Sequence, residues 1–92
     1  MNIDVTLMGG EQPRSLFLSG RIGETLFLMH RAGNEGITAM ENPAKRLAAY
    51  VHSLREMGLE ITTEREPHGG PYPGYHARYR LESIVTLGLR RE

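Results

Sequence analysis

Four histidines, a single aspartate and no cysteine limit the chemistry open to this 92-residue chain. His30, His52, His68 and His76 include no i, i+4 pair, and no Cys or Asp cluster joins them, so a metal site is not expected. Without cysteine there is no disulfide, thiolate ligand or thiol nucleophile. A Ser-His-Asp triad would have to recruit Asp4, and no spacing favours that. Glu64 and Glu66 fall on one strand face opposite basic residues, which reads as salt-linked surface rather than an acid–base pair. Gly9-Gly10 and Gly69-Gly70 lack the Lys-Ser/Thr of a phosphate loop and read as turns. The expectation is a protein with no catalytic residue, no metal and no cofactor.

The residues that could do binding chemistry lie on one helix and one hairpin. Asn42-Pro43 is a helix start, with Asn as N-cap and Pro at the first helical position, and Gly58 suits the residue just past the end. The predicted helix runs from Pro43 to Met57. At 100° per residue, Ala44, Leu47, Val51 and Leu54 share its core face. The opposite face carries Lys45, Arg46, Ala49, His52, Ser53 and Glu56. Two cations in the first turn oppose the helix dipole, an arrangement relieved when a phosphate arrives there; an ordinary solvated face is the plainer reading of the same residues.

Further on, Leu59, Ile61 and Thr63 alternate with Glu60, Thr62 and Glu64. After a turn-rich loop from Pro67 to Gly74, Tyr75, Ala77, Tyr79 and Leu81 alternate with His76, Arg78 and Arg80. Both runs match the period-two template of a hairpin. A register placing Glu64 opposite Arg78 and Glu66 opposite His76 would neutralise much of the hairpin's charge. His68 and Tyr72 are then left free at the tip.

Other elements must hold these in place. Ile3, Val5 and Leu7 alternate with polar neighbours, Gly9 to Pro13 is turn chemistry, and Ser15 to Leu18 can return, which predicts an N-terminal β-hairpin. A first helix is expected from Arg21 to Ala32, with Ile22, Leu26 and Met29 as its stripe and Gly33 as its stop. Phe27 lies off that stripe and needs a cover, either the hairpin or a partner. Asn34 to Glu41 is a short connector able to form one turn at most. The tail from Leu81 favours a strand through Ile84, Val85 and Leu87, with the N-terminal hairpin as a candidate partner. The fold class is α+β, in one domain: hairpin 1–19, helical part 20–58, second hairpin 59–81, tail 82–92.

Hydrophobic residues make up 39% and charged residues 24%, a globular composition. No basic-then-apolar leader and no long apolar run is present, so neither secretion nor a membrane span is expected, and a cytoplasmic protein is. Eleven basic residues balance eleven acidic ones, which disfavours indiscriminate nucleic-acid binding. The balance is uneven: residues 1–42 hold three Arg against five acids, and residues 43–92 hold eight Lys/Arg against six.

The stretch Arg46-Leu-Ala-Ala-Tyr-Val-His-Ser-Leu-Arg-Glu-Met-Gly58, continuing Leu59-Glu-Ile-Thr-Thr-Glu64, resembles the winged helix-turn-helix domains of small phage and bacterial proteins. Their recognition helix reads R-L-A-A-x-I-H-x-L-R-x-x-G and runs into a strand of the form x-x-I-x-T-E. Ala77-Arg-Tyr-Arg-Leu81 suits the second wing strand. The similarity spans about residues 20–81, with the specific motif at 46–64. It implies a three-helix core with a β-wing that binds DNA, and it places Lys45, Arg46, Ala49, His52 and Ser53 at the recognition positions. Two departures stand out: the second helix of the family is shortened or lost, and a hairpin is added at the N-terminus.

Two functions are therefore expected. The first is a DNA-binding regulator that contacts double-stranded DNA through those five residues, with His68, Tyr72, Arg78 and Arg80 of the wing in support, as a possible homodimer. The alternative is a phage-encoded inhibitor of a host protein complex, of the anti-CRISPR type, using the same surface.

Overall fold

A computed structural model of the chain describes residues 1–9, 11–43 and 46–90. The chain order is β1 (Asn2–Leu7), β2 (Arg14–Ser19), α1 (Gly20–Ala32), a 3-10 turn (Gly33–Glu35), β3 (Ile37–Thr38), α2 (Leu47–Glu56), β4 (Ile61–His68), β5 (Gly74–Leu81) and β6 (Val85–Leu89). The architecture is α+β, with two antiparallel three-stranded sheets of order β2-β1-β6 and β3-β5-β4.

The first sheet follows from alternation. Ile3 and Val5 are fully buried while Asp4 is exposed, and Leu18 answers them from β2. β6 pairs on the other side of β1, with Ile3 opposite Leu89 and Leu7 opposite Val85, so the tail does become a strand beside the N-terminal hairpin. α1 runs straight on from β2. Its stripe is Leu26 and Met29, both fully buried, with Ile22 half-buried beside them. Two small residues join them. Gly23 packs against the backbone of Leu18 and Met1, and Thr25 is buried with its hydroxyl donating to the Arg21 carbonyl at 2.8 Å. Phe27 is half-buried. Gly33, at φ 59°, ends the helix, and its N–H donates to the Met29 carbonyl.

The connector differs from a helix in a specific way. Among the described residues, no α-helix lies between α1 and α2. Gly36, at φ 65°, turns the chain into β3, which adds to the edge of β5 with Ile37 opposite Tyr79 and Thr38 opposite Arg78. A side chain on Gly36 would sit 2.8 Å from the Arg80 Cγ and collide with the Tyr79 backbone, so this position requires glycine.

The expected start of the second helix is corrected. Asn42 does not cap it: its backbone N–H and its side-chain amide both donate to the Thr38 carbonyl, at 3.1 and 3.2 Å. Thr38 is itself buried and accepts the Glu41 N–H at 3.2 Å. Asn42 thus closes a turn built on Thr38, and α2 begins at Leu47 with Arg46 in the capping position. The predicted first-turn residues Ala44 and Lys45 lie outside the described residues. The end is as predicted. Leu59 N–H donates to the Leu54 carbonyl and Gly58 N–H to that of Arg55, and the glycine sits at φ 99°. This is the paired closure of a Schellman motif, with Leu54 and Leu59 buried together behind it.

Leu47, Val51 and Leu54 face one core shared with Ile3, Val5, Leu18, Leu26, Met29, Ile37, Ile61 and Val85. Burial of each large aliphatic side chain stabilises by roughly 1.5–3 kcal/mol.

Candidate nucleic-acid interface

α2 turns its outer face to solvent. Arg46, Ala48, Ala49, His52 and Glu56 are exposed and Ser53 is half-buried. Arg46 stands at the helix N-terminus, where the first backbone N–H groups have no intrahelical acceptor. No acidic residue lies in the first turn to satisfy the dipole. Two alanines beside Arg46 leave room for a close approach. His52 Nε2 and Glu56 Oε1 lie 3.1 Å apart, one helical turn apart along this face, and both are exposed. This pair places a carboxylate among the candidate contacts. Of the five positions singled out on this helix, the structure brings Arg46, Ala49, His52 and Ser53 to one side. Lys45 lies outside the described residues.

The β4–β5 hairpin has the register expected from its sequence, with Glu64 opposite Arg78 and Glu66 opposite His76. Its ion pairs run diagonally. Arg78 Nε donates to Glu66 Oε2 at 2.6 Å, and Arg80 NH1 donates to Glu64 Oε1 at 2.7 Å. Both arginines also clamp the connector: Arg78 NH1 donates to the Glu35 carbonyl at 2.8 Å, and Arg80 Nε to that of Asn34 at 2.7 Å. Glu41 adds a further contact to Arg78 at 3.3 Å. The hydrogen bond from Arg78 holds the Glu66 carboxyl below its ordinary pKa, with His76 helping against the cost of desolvation, and the same bond raises Arg78. Arg78 and Arg80 are thus structural cations of the hairpin and its connector.

His68 is not free at the tip, because β4 extends through it. Its Nδ1 lies 3.1 Å from the Nδ1 of His76, whose Nε2 lies 2.9 Å from Glu66. In a neutral His76 whose Nε2 proton is given to Glu66, Nδ1 accepts and His68 donates. The two imidazoles stack with centroids 5.2 Å apart. Tyr72 does stand free in the loop, at 87% exposed.

The other hairpin face carries a feature the sequence pattern did not single out. Arg65 stacks over Tyr75 with its guanidinium carbon 4.2 Å from the ring centroid, and Tyr75 is 61% exposed. Thr63, Arg65, Tyr75, His76 and Ala77 line a surface hollow of about 450 Å³. Arg65 lies opposite Ala77 in the register, which puts it and Tyr75 on one face as diagonal neighbours.

Among the remaining described cations, three are held by the chain itself. Arg14 donates to the Met57 carbonyl at the end of α2, Arg55 to the Ile61 carbonyl and the Thr63 hydroxyl, and Arg90 to Asp4. Arg46 is left with no side-chain partner among the described residues, as are Arg21 and Arg31 of α1.

A family model described as a winged helix domain matches residues 15–90. No similar curated protein and no similar solved structure was found.

Proposed function

Because the chain belongs to the winged helix domain family, we propose that it is a DNA-binding protein that lays α2 in the major groove of double-stranded DNA. The observation that carries this reading is the N-terminal end of α2, where Arg46 has no side-chain partner among the described residues and the exposed Ala48 and Ala49 lie close by. A phosphate there would meet both a guanidinium and the positive end of the helix dipole. His52 and Ser53 would then reach base edges, with Ala49 permitting approach and Lys45 adding to the first-turn charge. On the wing, Arg65 and Tyr72 are the contacts to backbone or minor groove; Arg78 and Arg80 act by holding the hairpin in position.

Zero net charge makes one copy a weak binder, so a homodimer on two half-sites suits the reading. The role would be that of a small regulator of transcription in a phage or a bacterial cytoplasm.

A second reading has its own support. Arg78 and Arg80 of the wing are spent internally while Tyr72 and Tyr75 stand exposed, a composition suited to protein recognition. An inhibitor of a host complex, of the anti-CRISPR type, would use that surface.

Fluorescence anisotropy of a labelled random-sequence duplex, titrated at about 50 and 200 mM salt, separates the two. Affinity that falls steeply with salt, and a shallower slope for Arg46→Ala, are the expected results. Absence of binding at both salts, or an Arg46→Ala variant indistinguishable from wild type, rejects this placement on DNA.

A further inference from the structure

The first sheet ends in β6, a strand without charged residues. β6 pairs with β1 on one side, and among the described residues no strand pairs with the other. The hydrogen bonds from Met8 N–H to the Ile84 carbonyl and from Arg90 N–H to the Asn2 carbonyl set its phase. Residues 84, 86, 88 and 90 turn their backbone groups towards β1. By the alternation of an antiparallel ladder, Val85, Leu87 and Leu89 turn their N–H and C=O groups outward.

Edge strands are normally blunted by charge, proline or bulges. The free edge of the second sheet follows that rule, since β4 carries Glu64, Arg65, Glu66 and Pro67. β6 reads Val-Thr-Leu-Gly-Leu, with no charge and no proline. Ile84 and Leu89, which flank its centre, are 73% and 63% exposed.

We propose that β6 is a self-association edge, and that a second copy of this chain pairs with it antiparallel about a two-fold axis at Leu87. The strand is complementary to itself in that register. Leu87 meets its own counterpart, and Val85 meets Leu89 of the other copy, so the outward donors and acceptors of one strand face those of the other. Thr86 falls opposite Gly88, whose lack of a side chain leaves space at a close, non-hydrogen-bonded position. Leu89 gains a cover from the second copy's Val85, and the two three-stranded sheets become one of six strands. Dimers of this kind form without nucleic acid, so the inference stands apart from the DNA reading.

The test is sedimentation velocity of the full chain, without DNA, over a wide concentration range, beside two variants. Leu87→Pro removes an outward N–H and leaves the bonds to β1 in place. Leu89→Lys puts a charge where Val85 of the second copy would sit. A wild-type mass rising towards that of a dimer, with both variants at least about tenfold weaker, is the expected result. The Thr86→Cys/Gly88→Cys double variant, in a chain otherwise free of cysteine, should form interchain disulfides under mild oxidation. A wild type that stays monomeric throughout overturns the proposal, as does a dimer whose affinity neither variant changes. Circular dichroism reports whether each variant folds. Should Leu87→Pro fail to fold, Leu89→Lys and the cross-link decide the matter.

Discussion

Glu66 shows how much one carboxylate can organise. It receives Arg78 on one oxygen and, on the other, His76, which in turn lies within hydrogen-bond distance of His68. Its pKa is lowered chiefly by the Arg78 hydrogen bond. A lowered folded pKa means that the stabilisation is complete above the unfolded value and is lost as pH falls through the folded one. The urea midpoint of wild type should therefore exceed that of Glu66→Gln at neutral pH. The gap should close as the solution is acidified below the ordinary carboxylate range. A gap constant with pH would show that the charge of Glu66 contributes nothing. The pairing register of this hairpin was readable in the sequence, because charges of opposite sign recur at period two in both strands. The diagonal partners were not, since they depend on how far an arginine reaches and on the connector carbonyls that Arg78 and Arg80 also hold.

Elements with their own periodicity were the legible ones. α1, the two hairpins and the glycine stop of α2 each announce themselves through local spacing. β3 does not: two residues become a strand only because β5, far along the chain, offers an edge. The start of α2 was misread for a related reason. Asn42-Pro43 has the chemistry of a helix start, but the nearby Thr38 carbonyl takes Asn42 first. The docking of β3 depends on Gly36, where a positive φ coincides with close approach of the Tyr79 backbone. Gly36→Ala should cost about 1–3 kcal/mol of unfolding free energy, from strain at φ 65° plus displacement of β5. Chemical denaturation measures it, and a loss within error of zero would mean that β3 adds little to stability. For the candidate site, helical periodicity alone placed Ala49, His52 and Ser53 on the outer face. The Arg65–Tyr75 stack escaped notice because a lone exposed pair carries no pattern.

At the scale of the molecule, β1 is the middle strand of its sheet, with β2 on one side and β6 of the tail on the other. Val85 is buried in the common core beside Ile3 and Val5. A chain ending at Ser83 would leave β1 as an edge and open that core. Such a truncation should unfold at markedly lower temperature, with amide exchange in β1 accelerated relative to β4 and β5; unchanged protection of β1 would show that the hairpin stands without β6. The tail's strand character could be read from its β-branched residues, with the N-terminal hairpin as candidate partner, but the register could not, because pairing between segments so far apart leaves no local trace.

That arrangement also orders events in time. During synthesis β1 emerges long before β6, with Ile3 waiting for Leu89. The helices and the β4–β5 hairpin, whose contacts are mostly short in sequence, can form meanwhile. Closing the first sheet is the long-range step that carries the largest loop entropy. A nascent chain stalled before β6 would hold its apolar β1–β2 hairpin half-covered on the ribosome, and completion of this sheet would wait for β6 to leave the exit tunnel.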